Sequence, residues 1–151
     1  MLRDDINNAL KDAMKARDER RVSTLRLVNS TLKNADIEAR GRGKGPLADE
    51  EVLSVLQKMI KQRQESITFY EQGGRNELAQ QERDEIAIIS GYLPQQLSED
   101  EARAAIAQAI SETGAASMKD MGKVITALKA RYTGRMDFGK ASPLVKQMLQ
   151  G

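Results

Sequence analysis

Apolar residues recur along this chain in steps of three and four, in blocks separated by glycine, proline and serine. Such steps return a side chain to one face of an α-helix, whereas a half-buried strand needs alternation by two. The first block is Leu2, Ile6, Ala9, Leu10, Ala13 and Met14. A second runs from about Asp18 through Val22, Leu25, Val28, Leu32 and Ala35, and dissolves into Gly41, Gly43, Gly45 and Pro46. Helices tolerate that composition poorly, so a linker is expected there. Asp49, Glu50 and Glu51 then supply a cap and first-turn acids for a third and longest helix bearing Val52, Leu56, Met59, Ile60 and Ile67. Gly73 and Gly74 should stop it, and a fourth helix carries Leu78, Ile86 and Ile89 to Gly91.

Tyr92-Leu93-Pro94 ends this set, because proline disfavours helix at the residue before it. Ser98 and Glu101 then form a capping box for a helix with Ala102, Ile106, Ala109 and Ile110, stopping near Gly114. Ser117 with Asp120 is expected to open the next, with Met121, Val124, Ile125 and Leu128. Ser142, with Pro143 in the first turn, is expected to open the last, with Leu144, Val145, Met148 and Leu149. No segment alternates like a strand. The expected fold is all-α: an N-terminal antiparallel bundle of about four helices over 1–93, then a three-helix subdomain over 94–151.

The 151 residues are 40% hydrophobic and 30% charged, the balance of a chain that folds by burial. Histidine and cysteine are both absent. The common zinc ligands, imidazole general bases and thiol chemistry go with them, so no catalytic residue, metal or cofactor is expected. Met-Leu-Arg-Asp-Asp lacks the apolar run of a secretory signal, and the longest apolar stretch, Ile86 to Ile89, cannot span a bilayer. A cytosolic protein without a membrane partner is therefore expected.

The net charge of +2 conceals a division. Residues 1–44 carry 11 basic and 7 acidic side chains, residues 45–113 carry 6 and 13, and residues 114–151 carry 7 and 2. Both ends are basic and the middle is acidic. Lys119, Lys123, Lys129, Arg131, Arg135 and Lys140, with Lys146, form the densest cationic region. They are the candidate phosphate contacts, against the alternative of a solvated helix surface. Lys15, Arg17, Arg20, Arg21 and Arg26 make a weaker patch in which Asp18 and Glu19 favour pairing within the helix.

Other candidates carry less. Gly41-Arg42-Gly43-Lys44-Gly45 follows a helix and lacks the lysine-hydroxyl ending of a nucleotide loop, so it reads as a linker. Five aromatics are too few for a surface that reads bases by stacking, though Tyr132 lies among cations. Glu82, Asp84 and Glu85 read as a solvated helix face beside Arg83, and no Gly-x-Ser-x-Gly elbow occurs.

Two stretches carry a family likeness. One is Phe69-Tyr70-Glu71-Gln72-Gly73-Gly74-Arg75-Asn76-Glu77-Leu78, continuing to Tyr92-Leu93-Pro94-Gln95-Gln96-Leu97-Ser98. The other is Lys119-Asp120-Met121-Gly122-Lys123-Val124, leading to Gly134 and Leu144-Val145-Lys146. In this order they resemble the YqeY family, which is similar to the tail domain of the B subunit of the glutamine-dependent amidotransferase acting on mischarged glutamyl- or aspartyl-tRNA. The resemblance implies an all-helical tRNA-associated module with Lys123 and its basic neighbours facing RNA. It also implies the family label of a carbon-nitrogen ligase with glutamine as amido donor, while ammonia release and carboxyl activation lie on other domains. The expected role is a non-catalytic tRNA-binding accessory. The alternative is an adaptor that docks on an aminoacyl-tRNA synthetase or amidotransferase subunit.

Overall fold

The ends of the helices are set by how each leftover backbone group finds a partner. The computed structural model describes residues 1–150, and among them are seven α-helices and no strand. They are α1 (Leu2–Lys15), α2 (Glu19–Gly41), α3 (Asp49–Gln72), α4 (Asn76–Ser90), α5 (Glu99–Thr113), α6 (Met121–Tyr132) and α7 (Phe138–Gln150), with a 3₁₀ turn at Met118–Asp120. The Cα trace separates into two compact units, Met1–Leu93 and Pro94–Gly151.

Four helices end in the same turn. After α5, the Ala115 N–H donates to Ile110 O and the Gly114 N–H to Ser111 O, with Gly114 left-handed at φ 68°. This pair of bonds satisfies orphan carbonyls and requires a positive φ that favours glycine. The same pattern closes α2 on Gly43 and α3 on Gly74. It closes α1 on Arg17, at φ 57° the one non-glycine residue with positive φ among those described.

Helix starts follow the expectation at α2, where the Asp18 carboxylate accepts the Arg21 N–H at 3.2 Å, and at α5, and depart from it at α3, α6 and α7. The Ser98 hydroxyl accepts the Glu101 N–H at 3.1 Å, and Glu101 accepts the Ser98 N–H at 3.0 Å. At α3 the cap is Ala48, which has no side-chain acceptor, and Glu51 reaches back to its N–H. Ser117 forms no side-chain cap; the Asp120 carboxylate instead accepts the Ala116 N–H at 3.0 Å, and a 3₁₀ turn precedes α6. α7 begins at Phe138, four residues before Ser142, so Pro143 lies inside the helix. Asp137 Oδ1 accepts the Gly139 N–H, and Ser142 donates its hydroxyl to Phe138 O. Asp137 thus starts the helix, and Ser142 bonds back within it.

In the first unit Ile6, Leu25, Val28, Leu32, Val52, Leu56 and Ile89 are fully buried. α3 packs most closely on α4 and α1 on α2, and α2 also packs on α4. Met14, expected on the inner face, is half exposed. Arginines link these helices. Arg3 Nη1 reaches both oxygens of Asp36, at 2.8 and 2.7 Å, and Asp36 also accepts the Leu47 N–H, tying the start of α1 and the last turns of α2 to the segment before α3. Arg20 reaches Asp84 at 3.1 Å and Arg21 donates to the Tyr92 hydroxyl at 3.3 Å. The pairing of Arg20 and Arg21 is therefore between distant segments, not within α2.

Arg63 is buried on α3. Its Nε lies 3.1 Å from Glu85 and 3.8 Å from Glu82, and its Nη1 donates to Met59 O. Glu82 and Glu85 are not a solvated face; their side chains are 20% and 14% exposed. Burial and the neighbouring Glu85 raise the Glu82 pKa, against the opposing pull of Arg63.

In the second unit Ile106, Val124, Leu128 and Val145 form a buried centre, with Leu97, Tyr132, Phe138 and Leu144 packed around it.

Candidate nucleic-acid interface

Helix α6 turns Val124 and Leu128 into the core, with Met121 and Ile125 beside them. Its other face is consequently exposed. Lys123 lies on it, and Lys129, six residues on, is exposed at the helix flank, about 9 Å along the axis and about 120° around it. Lys123 Nζ stands 3.8 Å from Asp120 Oδ1, with its side chain 70% exposed. Lys129 Nζ sits 5.9 Å from the centroid of the Phe138 ring, a cation–π arrangement that holds the amine without neutralising it.

Lys119 in the 3₁₀ turn and Lys140 in the first turns of α7 are exposed and have no ion-pair partner among the described residues. Lys119 and Lys123 mark the start of α6. Lys129 and Lys140 mark its other end, at the turn into α7.

The two arginines are differently placed. Arg131 is held by Glu112 at 2.5 Å, across to α5. That contact lowers the Glu112 pKa, Gln108 adding to it, and raises that of Arg131. Arg135 donates from Nε to Gln95 O at 3.0 Å, and its own carbonyl accepts the Leu97 N–H at 2.9 Å. Gln96 donates to Gly134 O at 2.5 Å and to Pro94 O at 3.0 Å. The segment Pro94-Gln95-Gln96-Leu97 is thereby stitched to the turn between α6 and α7. Arg135, through Gln95 O, and Gln96, through Gly134 O, position this corner, and these bonds were not legible between residues 40 and 38 positions apart.

The acids beside the lysines are already occupied. Asp120 has a lowered pKa, first through the Ala116 N–H and more weakly through Lys123. Asp137 accepts from Gly139. Lys119, Lys123, Lys129 and Lys140 are thus exposed in a segment whose two carboxylates both accept backbone N–H groups, Asp120 standing also beside Lys123. Among the described residues no group of three or more Asp or Glu side chains converges as metal ligands, and no helix is long and apolar enough to cross a membrane.

Comparison with known proteins adds the lineage. The chain is similar to proteins named "Altered inheritance of mitochondria protein 41, mitochondrial". The relative from Eremothecium gossypii is 35% identical over 84 residues, 56% of this chain and 44% of its own. That from Lachancea thermotolerans is 36% identical over 91 residues, 60% and 47% of the two chains. The Vanderwaltozyma polyspora protein is 39% identical over 85 residues, 56% and 44%. The matched stretch spans less than half the length of each relative.

These names overturn the cytosolic expectation, since the relatives are mitochondrial proteins. That expectation rested on the lack of an apolar secretory segment. Mitochondrial targeting segments are amphipathic and Arg- and Ser-rich, so the argument had no bearing on them. The family model for Yqey-like proteins matches residues 3–149, nearly the whole sequence, and the chain belongs to the YqeY family.

Proposed function

We propose that this chain is a non-catalytic tRNA-binding accessory module whose second unit contacts phosphates through Lys119, Lys123, Lys129 and Lys140. The observation that carries the reading is the outward placement of these four lysines where the local carboxylates are engaged by the backbone. Arg131 and Arg135 hold the unit in shape and contribute field rather than direct contacts. With few aromatics, the module holds tRNA by phosphate contacts and shape rather than by reading bases. Amide transfer, including ammonia release and activation of the acceptor, belongs in this reading to other proteins.

A mobility shift of total tRNA across a salt series, with duplex DNA as competitor, tests the reading. Preferential tRNA binding that weakens about 10-fold or more between roughly 50 and 200 mM salt is expected. Changing the four lysines to serine should flatten that dependence. No binding at the lowest salt would overturn the proposal. The adaptor alternative draws on a different observation, the exposed face of α2.

A further inference from the structure

Helix α2 buries Leu25, Val28, Leu32 and Ala39, and its opposite face is open to solvent. On that face Leu27, Ser30, Asn34, Ile37 and Gly41 follow one another at steps of three, four, three and four, which is the spacing of the two inner positions of a heptad. All five are exposed, Leu27 to 45% and Ile37 to 64%. The residue immediately before Leu27, Asn34 and Gly41 is in each case a cation: Arg26, Lys33 and Arg40. They occupy the flanking heptad position that pairs with charges on a partner helix, and they recur about 10 Å apart along the axis.

None of the three forms an ion pair among the described residues. Arg40 is near enough to Asp36 to lower its pKa slightly, but Asp36 is gripped first by Arg3. Two large apolar side chains, small and polar residues between them and one basic flank, all in one register, are more than scattered surface leucines provide. We propose that this face docks an amphipathic helix of another protein that carries acidic residues at heptad spacing.

The charges choose between occupants. A second copy laid antiparallel would bring Arg26, Lys33 and Arg40 against their own counterparts. Laid parallel, it would offer them Thr31 and Glu38, a single opposite charge. Asn34 restricts the registers a partner can adopt, because its amide needs a polar partner once covered. Ser30 imposes less, since a helical serine can turn its hydroxyl back to a carbonyl of its own helix. A nucleic acid would use the cations but would leave Leu27 and Ile37 idle. The inference is independent of the tRNA reading, which rests on the second unit.

The test uses the full chain and a labelled three-heptad helical peptide with leucine at the inner positions, asparagine in place of the leucine opposite Asn34, and glutamate on both flanks. A second peptide carries lysine in place of glutamate. Fluorescence anisotropy should show binding of the glutamate peptide at least about 10-fold tighter than the lysine peptide. The variant Arg26→Glu/Lys33→Glu/Arg40→Glu should reverse that preference, and Leu27→Ser/Ile37→Ser should weaken binding of the glutamate peptide. Unchanged circular dichroism in both variants confirms that the fold persists.

Absence of binding by the glutamate peptide, or equal binding to the charge-reversed variant, overturns the proposal. A dimer of the unaltered protein that Ile37→Ser dissolves would place a second copy on the face and overturn it. So would a 10-fold loss of tRNA binding in the charge-reversed variant while Leu27→Ser/Ile37→Ser keeps full affinity for both tRNA and peptide.

Discussion

Arg63 and Lys123 are both helical cations with acidic neighbours, yet their surroundings differ. Arg63 in the first unit is 10% exposed between Glu82 and Glu85, while Lys123 in the second has a side chain 70% exposed beside Asp120. The contrast extends to the units. In the first, Arg3, Arg20 and Arg63 each reach an acid on another helix. In the second, Arg131 spans to another helix, Arg103–Glu99 and Lys123–Asp120 are local, and Lys119 and Lys140 remain unpaired among the described residues. A charge enclosed between helices is committed to architecture, since exposing or orphaning it is costly. A charge left in water costs the fold little and stays available to a partner.

The largest effect should come from removing the enclosed cation. Arg63→Met leaves two crowded carboxylates, and urea unfolding should show a loss of about 3 kcal/mol. Adding Glu82→Gln and Glu85→Gln should restore much of it. A loss no larger than that of a surface arginine would break the contrast between the units.

At helix ends the comparison turns on backbone. Ser98→Ala removes the acceptor that caps α5 and should cost about 1 kcal/mol. The left-handed turns that close α1 and α5 should respond in opposite directions. Gly114→Ala forces a methyl side chain into a left-handed conformation and should cost about 1 kcal/mol, whereas Arg17→Gly relieves that strain and should stabilise by a few tenths up to about 1 kcal/mol. Thermal unfolding of the two variants, read against the unaltered chain, checks the pair.

The enclosed acids also predict a pH signature. With its pKa raised by burial and then by Glu85, folded Glu82 holds its proton more tightly than the unfolded chain does. Its contribution to stability is therefore full below the ordinary value of 4.5 and is lost as pH rises through the raised one. Asp36, lowered first by Arg3, and Glu101 and Glu112, lowered from 4.5 by Ser98 and by Arg131, act in the opposite sense and chiefly below 4.5, outside that window. Urea midpoints measured upward from about pH 4.5 should fall in the unaltered chain and stay flatter in Glu82→Gln. Equal slopes would remove Glu82 as the source.

The smallest effects on stability belong to the exposed lysines. Lys119→Ser and Lys140→Ser should each change the unfolding free energy by less than about 0.5 kcal/mol. A larger change would mean that these residues serve the fold and would weaken the contrast from the other side.

Legibility in the sequence followed the range of the interaction. The seven helices could be read because apolar spacing and local breakers act within a few residues, as at Ser98–Glu101 and at Gly114. Local rules misplaced the start of α7: Pro143 resembles a first-turn residue, whereas Asp137 accepts the Gly139 N–H and the helix carries the proline internally. The six candidate site residues could be named but not sorted. Arg131 meets Glu112 and Arg135 meets Gln95 only through packing, leaving the lysines as the outward set. Arg63 falls within the apolar stripe of Val52, Leu56, Met59 and Ile67, which places it on the buried face of α3, but the acids that make it tolerable there, Glu82 and Glu85, lie on another helix and are not legible from that spacing.

The amino-acid sequence by itself determined the all-helical class, where most helices stop, the uneven charge along the chain and the family, because propensity, periodicity and composition are properties of short segments. Only the tertiary structure decided which charges are enclosed and which are free. That choice depends on residues such as Arg63 and Glu85, or Arg20 and Asp84, meeting across 22 and 64 positions. The desolvation that separates an architectural cation from an available one exists only once those segments have packed.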